Sequence, residues 1–444
     1  MRRRHSVSLL TRLPVPGAVK TRVAARLGDE AAASLHAAMT EHAARQLRLL
    51  RATDGVRAQV RVTGGSAAAA GRWLRLPARD QGGGDLGERQ LRALREALGS
   101  SRVAAVAGSD CPGLDAEDVR RALAAASARG ASLVPAHDGG YCLLAVDREA
   151  AAVLPAAFAD VAWGMGDVAE TLLGGLRHHG VDAEVLETRA DVDRPEDVAS
   201  WEAVRAAWYE PPGSLAVVVP TLDEATVLPA LLERLLAEDV EVVVADGGST
   251  DGTPAIAEAG GARVVRAAHG RGAQMNAGAE AAGGDALLFL HADTLPPRGF
   301  ARLVLDALAD PGLLVGAFRF SLAARRPALR VIETFTRLRG SLLHFPYGDQ
   351  GLFCRRALWR ALGRFPAYPL MEDYEFVRRA RRAGLVRVLR ADAVTSDRGW
   401  SEHGPWRWTA LNVATTARYR LGTPPERLAA WRERGGRASP HSKR

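Results

Sequence analysis

Lysine is almost missing from this chain of 444 residues, in which Lys20 and Lys443 stand against 57 arginines. Cysteine is scarce as well, and Cys111, Cys142 and Cys354 lie far apart without the spacing of a metal site. This usage predicts free thiols in a reducing compartment, and therefore a cytoplasmic protein. Because lysine is so rare, Lys20 is a conspicuous residue within the body of the chain.

Long apolar runs are also missing. The best candidate for a membrane span, residues 285–294, is short and carries charge. Residues 1–17 are basic and then apolar, but the apolar part is too short for a secretory signal, so we expect the first β-strand there. No recognised nucleic-acid-binding motif occurs, and we expect no nucleic-acid partner.

The net charge of +8 is unevenly distributed. Residues 376–444 contain 16 Lys/Arg and 5 Asp/Glu, a net of +11, which leaves about −3 for the remainder. Trp400, Trp406, Trp408 and Trp431 lie in the same segment. Such a segment either rests on an anionic membrane surface, here the inner face of the cell membrane, or packs as a helical tail with a solvated arginine face. The sequence leaves both interpretations open.

Strand-like and helix-like segments alternate twice along the chain, and residues 209–213, Tyr-Glu-Pro-Pro-Gly, interrupt the pattern. This predicts an N-terminal domain over 1–208, a linker, a second domain over 214–395 and a basic helical tail over 396–444. The alternation indicates the α/β class, with two Rossmann-like domains in tandem, each a mostly parallel sheet flanked by helices. The predicted strands are 6–10, 56–62, 103–107, 131–135, 141–146 and 182–186 in the first half, and 215–219, 240–244, 262–265, 285–290 and 314–320 in the second.

The most informative stretch is 215–253, where two apolar strands run into the polar turns Thr-Leu-Asp-Glu-Ala and Asp-Gly-Gly-Ser-Thr-Asp-Gly-Thr. A carboxylate that follows a strand lies at the carboxyl edge of a parallel sheet, where open α/β folds bind nucleotides. Asp246 can accept hydrogen bonds from a base or ribose, and the two glycines after it allow a close ligand approach. Thr253 followed by Pro254 is typical of a helix cap and a first-turn proline.

These segments resemble the opening of family 2 glycosyltransferases, which have the GT-A fold and use nucleotide-sugar donors. The resemblance continues to about residue 435. It implies donor contacts at Pro220, Thr221, Asp223, Glu224, Asp246, Gly248, Ser249, Asp251 and Arg271.

The next strand ends in His-Ala-Asp, residues 291–293, where this family usually has Asp-x-Asp. In the family the two carboxylates hold Mg²⁺ or Mn²⁺, which neutralises the leaving nucleoside diphosphate. Only Asp293 matches, and His291 is either a further metal ligand or a structural histidine. The variant is similar to the radical-SAM/selenodomain-associated transferase 2 group, also labelled as an arsenosugar biosynthesis type.

Two later motifs extend the resemblance. Asp349 and Gln350 match a region that faces the acceptor and the donor sugar in the family. Glu372 and Asp373 open a predicted helix, and in inverting members the matching aspartate is the general base that deprotonates the acceptor hydroxyl. The local alternative is a helix-capping acidic pair.

Residues 396–404 resemble the tryptophan motif that follows the base in this family. There Arg398 would bind a donor phosphate and Trp400 would stack on the acceptor. Gly399 replaces the usual second arginine, so the motif is incomplete.

In the N-terminal half, residues 10–28 form a Pro/Gly loop that presents Lys20 and Arg22 just before a helix, an arrangement that can cradle phosphates. This resembles phospholactate guanylyltransferase-type nucleotidyltransferases, and more closely the radical-SAM/selenodomain-associated transferase 1 family. Further matches occur in order at 81–89, 107–114, 135–146 and 191–198.

Four residues in those matches suggest roles in nucleotide handling. Asp110 and Asp193 each follow a strand and would hold a metal, although Asp110 before Cys-Pro-Gly is alternatively a turn former. Gly139 and Gly140 would allow a close substrate approach. Together with Lys20, they predict a second nucleotide site.

The leading interpretation is a bifunctional sugar-transfer protein. The C-terminal half would transfer a sugar with inversion to an unknown acceptor, and a lipid-like acceptor would suit a site that rests on a membrane. The N-terminal half would make or bind the donor. Two alternatives remain open: an N-terminal docking or regulatory module without catalysis, and a peripheral membrane scaffold that binds nucleotides without turnover.

Overall fold

The computed structural model describes residues 5–324, 326–343 and 345–437. Lys443 and the end of the predicted basic tail lie outside these residues. The chain divides into two compact units, Met1–Arg205 and Ala206–Arg444, and the domain limits inferred from sequence stay predictions. Within the described residues no helix is both long and apolar enough to cross a membrane.

The first unit is built on a seven-stranded sheet with the order β3-β2-β1-β4-β6-β5-β7. Its strands are β1 (His5–Arg12), β2 (Arg57–Thr63), β3 (Ala78–Asp80), β4 (Val103–Gly108), β5 (Ala131–Pro135), β6 (Tyr141–Asp147) and β7 (Glu184–Val185). The helices are α1 (Thr21–Leu27), α2 (Asp29–Thr53), α3 (Ala67–Leu74), α4 (Leu86–Leu98), α5 (Ala116–Arg129), α6 (Arg148–Ala157), α7 (Val168–His178) and α8 (Val198–Tyr209). A short 3₁₀ helix covers Pro195–Asp197.

The second unit has an eight-stranded sheet with the order β10-β9-β8-β11-β14-β13-β15-β12. Its strands are β8 (Leu215–Thr221), β9 (Glu241–Asp246), β10 (Arg263–Arg266), β11 (Ala286–Phe289), β12 (Thr294–Leu295), β13 (Leu313–Leu322), β14 (Leu352–Arg355) and β15 (Leu385–Thr395). The helices are α9 (Leu228–Leu236), α10 (Thr253–Ala259), α11 (Arg271–Ala281), α12 (Phe300–Leu308), α13 (Pro327–Leu343), α14 (Arg356–Ala361), α15 (Glu372–Ala383), α16 (Arg398–His403), α17 (Pro405–Arg420) and α18 (Pro425–Arg437). A second 3₁₀ turn covers Gly348–Gln350.

The two sheets share one topology. Apart from the short edge strand β12, the second sheet repeats the strand order of the first. In each sheet one strand, β6 or β14, runs antiparallel to both neighbours, and the other pairings of the shared order are parallel. The predicted α/β class and the two mostly parallel sheets flanked by helices are therefore confirmed.

The burial of the central strands explains why the alternation of strands and helices could be predicted from the sequence. Every residue of β8 is buried, because helices cover both faces of a parallel strand, and such strands appear as continuous apolar runs. By contrast, β15 mixes apolar residues with arginine and aspartate and is only partly buried. It was not among the predicted strands.

The cysteine prediction was wrong for two of the three residues. Cys111 and Cys142 form a disulfide, with Cα atoms 5.8 Å apart and a sequence separation of 31. The antiparallel pairing of β4 with β6 places the end of one strand beside the start of the other, with Ala107 opposite Leu143. Cys354 is the free, buried cysteine, and burial raises the pKa of its thiol.

Candidate functional site

The carboxyl ends of β8 and β9 lie side by side, with Thr221 opposite Asp246. The Asp246 carboxylate is 4% exposed and accepts hydrogen bonds from the backbone amides of Gly248 at 3.0 Å and Ser249 at 3.1 Å. It therefore shapes the turn that follows its own strand. Pro220 and Thr221 are buried at the end of β8.

Side chains from the two predicted donor loops tie the loops to each other. The Asp223 amide donates to Ser249 Oγ at 2.9 Å, and Asp223 Oδ1 accepts from the Thr250 amide at 2.7 Å. Asp251 Oδ1 accepts from Thr253 Oγ1 at 2.5 Å, and this hydrogen bond is the main reason that the pKa of Asp251 is lowered. The loops thus form one preorganised edge.

The sequence predicted Thr253 as the cap of the following helix, but the structure shows that it is not the cap. Helix α10 begins at Thr253, and the residue before it, Gly252, has a φ of 87° that glycine adopts readily. The Thr253 hydroxyl instead accepts from the Glu224 amide at 2.9 Å. The threonine therefore joins two loops.

Gln274 is a positioning residue that sequence reasoning missed. It is 4% exposed, and its Nε2 donates to the backbone oxygens of Thr221 at 2.6 Å and Ala245 at 3.1 Å. A Cβ atom on Gly247 would lie 2.8 Å from this nitrogen. A side chain at 247 would therefore press on this glutamine, a constraint that acts beside the close ligand approach expected there from the sequence.

Asp373 stands at the start of α15, after Met371, whose φ of 74° lies in the left-handed region that non-glycine residues rarely adopt. Asp373 Oδ2 accepts from the Gly348 amide at 2.7 Å. A Cβ atom on Gly348 would lie 2.9 Å from His291 Nε2 and 3.0 Å from Asp373 Oδ2. The histidine and the aspartate are thus held against the same glycine.

Arg271 and Glu372 form the wall beside this pair. Arg271 Nε lies 3.3 Å from Glu372 Oε1, and Arg271 Nη1 lies 3.4 Å from His291 Nε2. Burial, and then the positive charge of Arg271, lower the pKa of His291 to about 3, so its imidazole is neutral at neutral pH. Burial also raises the pKa of Glu372, against the opposing effect of Arg271.

Asp293 belongs to a second acidic pair. Burial raises its pKa, Arg398 opposes this effect, and the negative charge of Glu224 adds to it. Arg398 Nη2 lies 3.1 Å from Glu224 Oε1 and 3.8 Å from Asp293 Oδ2. One guanidinium therefore bridges two carboxylates, and hard oxygen ligands of this kind also suit a divalent cation.

A cavity of about 680 Å³ brings these groups together, and Arg271, His291, Asp293, Glu372, Asp373 and Arg398 all line it. Asp349 and Trp400 line it as well. Gln350 does not: it is 2% exposed, and its amide bonds to the Phe318 carbonyl oxygen and the Tyr347 amide hold the turn. The residues of the β8–β9 edge also lie outside the cavity lining.

The first unit has a different site. Lys20 precedes α1 with a φ of 48°, and its Nζ lies 2.7 Å from Asp193 Oδ1 and 3.5 Å from Asp110 Oδ2. Burial lowers the pKa of Lys20, but the two carboxylates outweigh it and the pKa is raised overall. A cavity of about 720 Å³ is lined by all three residues and by Arg22.

Two further aspartates join this cluster. One carboxylate oxygen each of Asp138, Asp191 and Asp193 lies within 4.8 Å of the others. Burial, followed by the charge of Asp138, raises the pKa of Asp191 to about 6. Sequence reasoning selected only Asp193, although the Asp-Val-Asp spacing signalled its companion Asp191. The oxygen-only donor set fits a hard divalent cation.

Gly139 and Gly140, the two glycines expected to allow a close substrate approach, both have close contacts within the protein itself. A side chain on Gly139, which has a φ of 87°, would collide with the backbone of Gly166. The Gly140 amide donates to Asp138 Oδ1 at 2.8 Å. Neither glycine lines the cavity, whereas Asp138 does; the expected close substrate approach at these glycines stays a prediction.

Comparison with known proteins agrees with these two descriptions. Residues 46–165 match the profile of DUF2064, described as an uncharacterized protein conserved in bacteria. Residues 216–361 match the profile of glycosyl transferase family 2. Each half of the chain is thus similar to a different family over part of its length. Among curated proteins, none matches this sequence.

Several solved structures are similar to parts of the chain. A candidate nucleotide-diphospho-sugar transferase from Desulfovibrio desulfuricans G20 is 26% identical over 45% of this chain and 87% of that one, with a TM-score of 0.42. Staphylococcus aureus TarS residues 1–349 with UDP-GlcNAc are 21% identical over 41% and 58%, with a TM-score of 0.33. Glucosyl-3-phosphoglycerate synthase from Mycobacterium tuberculosis, in complex with Mn²⁺, UDP and glucosyl-3-phosphoglycerate, is 21% identical over 51% and 85%, with a TM-score of 0.34.

Proposed function

We propose that the C-terminal half transfers a sugar from a nucleotide-sugar donor to an acceptor hydroxyl, with inversion at the anomeric carbon. The observation that carries this proposal is the convergence of Asp373, His291 and Asp293 in one cavity of a family 2 domain. The preorganised β8–β9 edge supplies the nucleoside site, with Asp223 and Asp246 facing the base and ribose.

Asp293, with Glu224 beside it, would hold Mg²⁺ or Mn²⁺. The bound metal would neutralise the developing charge of the nucleoside diphosphate. Arg398 already bridges these two carboxylates and is about half exposed, so it can turn to the donor phosphates when a cation takes its place. His291, whose Nε2 is engaged by Arg271, serves better as a neutral neighbour of Asp373 than as a metal ligand.

Asp373 acts as the general base in this proposal. Its carboxylate accepts the acceptor hydroxyl proton as the oxygen bonds to the anomeric carbon, and the bond from that carbon to the diphosphate oxygen breaks. The Gly348 amide orients Oδ2 through its hydrogen bond. The ion pair of Arg271 with Glu372 fixes the side of the cavity next to Asp373.

A donor screen with the full chain tests this function. Common nucleotide sugars would be incubated with Mn²⁺, and release of the nucleoside diphosphate would be followed. We expect slow hydrolysis of one donor class without acceptor, and its loss in Asp293→Ala. Failure of every nucleotide sugar to bind, by calorimetry with Mn²⁺ present, would contradict the proposal.

For the N-terminal half, we propose a nucleotide phosphate chain bound with a divalent cation. Lys20 and Arg22 would contact the phosphates, and Asp110, Asp193 and their acidic neighbours would hold the metal. A cation that displaces Lys20 from Asp193 would free its ammonium for a phosphate. Thermal stabilisation of this half by nucleoside triphosphates with Mn²⁺ tests the idea; no stabilisation by any nucleotide would favour a docking or regulatory module.

We also propose peripheral contact of the C-terminal helices with anionic lipid. Phe335 on α13 is 69% exposed, and Trp406 and Val413 on α17 are 61% and 62% exposed. Trp406 and Val413 lie on the strongly basic segment 376–444, as membrane-surface helices require, and Phe335 is an exposed apolar side chain outside that segment. Co-sedimentation with anionic vesicles, weakened by salt and by Trp406→Ser, is the expected result. Equal failure to bind anionic and neutral vesicles at low salt would leave these helices as packing elements.

A further inference from the structure

Arg432 on α18 is a cation with no acidic partner among the residues that the structure describes. Its Nη2 donates to Asn412 Oδ1 at 2.7 Å and its Nη1 to Thr415 Oγ1 at 3.3 Å. Its guanidinium lies over the Trp408 ring, 4.7 Å from the centroid. All of these partners are neutral, and within the described part of the chain no carboxylate pairs with Arg432.

Two other arginines around the same cavity are neutralised. Arg271 pairs with Glu372, and Arg398 pairs with Glu224. Burial, and then the positive charge of Arg271, lower the pKa of Arg432, so the protein places an uncompensated positive charge here. Such a charge is costly unless something outside the chain offsets it.

Arg432 also lines the cavity that contains Asp373. A second arginine of that lining, Arg420, donates to the Tyr374 hydroxyl at 2.5 Å and likewise has no carboxylate partner among the described residues. The cavity is therefore acidic at the reaction centre and basic where α17 and α18 form its wall. Trp400 and Trp408 also belong to the lining and provide aromatic surface.

We propose that Arg432, with Arg420, is an anion subsite for the acceptor, so that the acceptor is an alcohol carrying a phosphate or carboxylate group. The hydroxyl would reach Asp373, an apolar or aromatic body would contact the two tryptophans, and the anionic group would bind the guanidinium groups. An arginine fork matches such oxygen pairs. This inference rests on the proposed transfer function of the cavity.

The donor diphosphate is the competing ligand for Arg432. Arg398, which already contacts Glu224 and Asp293, is the arginine beside the proposed metal position. Arg432 contacts only residues of α17 in its hydrogen bonds. An acceptor subsite therefore predicts that donor binding does not depend on Arg432.

The test uses the full chain and 4-hydroxyphenyl phosphate as the probe, with 4-methoxyphenol as its neutral counterpart. Binding would be followed by tryptophan fluorescence and calorimetry. We expect the phosphate to bind at least tenfold more tightly than the neutral compound. Arg432→Gln should remove about tenfold or more of that affinity, and the matched control Arg434→Gln, an exposed arginine on the same helix, should not.

Several outcomes would overturn the subsite: equal binding of the two compounds, unchanged affinity in Arg432→Gln, or a parallel loss of nucleotide-sugar binding that assigns Arg432 to the donor. The comparison of the two compounds on the unaltered protein does not depend on whether the variant folds. Nucleotide-sugar binding is measured separately. Its absence alongside Arg432-dependent phosphate binding would remove the transferase proposal and leave the anion site.

A final arm separates lipid from soluble acceptors. Phosphatidylcholine vesicles that contain dodecyl phosphate would be compared with vesicles that contain dodecanol. Arg432-dependent binding to the phosphate vesicles, tighter than binding to the soluble probe, would identify a lipid phosphate. Preference for the soluble probe would identify a soluble phosphate or carboxylate, and Arg432-independent binding in both arms would count against the subsite.

Discussion

The two halves of this chain use one sheet topology and surround it with different chemistry. In the first half, the cavity is polar, and Lys20 lies between Asp110 and Asp193. In the second half, arginines replace lysine, and His291 takes a position where the resembling family usually has an aspartate. The comparison shows that strand order alone does not specify how a charged site is composed.

The segments that follow β7 in the first half and β15 in the second half account for much of the difference between the two cavities. Beyond β7 the chain passes to the aspartates at 191 and 193 and a short 3₁₀ helix. Beyond β15 it continues into α16, α17 and α18, which contribute the tryptophans and Arg432 to a cavity wall. The first half thus has several carboxylates near one lysine, whereas the cavity of the second half has an aromatic and basic wall.

The largest expected effect concerns the one residue proposed as a base, which has no equivalent assigned in the first half. Asp373→Asn should lower sugar transfer by about 10²–10⁴-fold, because the amide cannot accept the hydroxyl proton. Nucleotide-sugar binding should persist in calorimetry. Asp306→Asn, at an exposed acid of α12, is the matched control. Near-normal turnover in Asp373→Asn would remove the residue from the mechanism.

A glycine comparison tests how tightly the second site is built. Gly348→Ala should lower turnover by about 10²-fold, since its Cβ would press on both His291 and Asp373. Gly174→Ala in the first half has nothing within 4 Å of the added atom and no positive φ, so it should leave activity unchanged. Kinetics on both variants, with circular dichroism as a folding check, decide the matter. Equal activity would mean that the turn at 348 can relax without moving the reacting groups.

The lysine distinguishes the halves most directly. Lys20→Ala should weaken nucleotide binding to the first half by about tenfold, because it removes a charge-assisted phosphate contact. Sugar transfer by the second half should not change. Arg26→Ala, at an exposed position in the last turn of α1, is the control. A loss of transfer in Lys20→Ala would mean that the two sites are coupled.

The smallest effect concerns pH. Burial, and then Arg45, lower the pKa of His42 in the first half to about 3 from its ordinary value of 6.5. Below pH 6.5, His42 therefore binds a proton in the unfolded chain but stays neutral in the folded chain. The free energy of unfolding should fall as pH decreases from 6.5 towards 3. His42→Phe should flatten that slope in denaturant titrations. His178→Gln, at an exposed histidine, should keep it, and an unaltered slope in His42→Phe would reject the assignment.

The fold was predictable to the extent that strands were buried on both faces. Strands such as β8 and β4 are continuous apolar runs, and polar residues follow the carboxyl ends of both strands. β15 escaped prediction because its charges are neutralised by distant partners: Asp392 pairs with Arg319, and Arg387 pairs with Asp310. A short window of sequence contains neither partner.

The residues of the two cavities also fall into those that the sequence identified and those that it did not. The resemblance identified Asp373, Asp293 and Lys20, whose roles in donor transfer stay predictions, and the structure places each of them in a cavity. Gly139 has a requirement that the sequence did not show, because an added side chain would collide with the backbone of Gly166. The sequence around Gln274 does not indicate its role. This side chain joins the ends of β8 and β9, two strands that are far from it in the sequence.

The sequence by itself determined the α/β alternation and the polar residues at the strand ends, because both depend on periodicities of a few residues. Only the tertiary structure decided which of those residues meet. The disulfide between Cys111 and Cys142, the grouping of Asp138 with Asp191 and Asp193, and the exposure of an unpaired Arg432 to the cavity all join positions far apart in the chain. Such contacts follow from strand order and helix packing, and no local pattern contains that information.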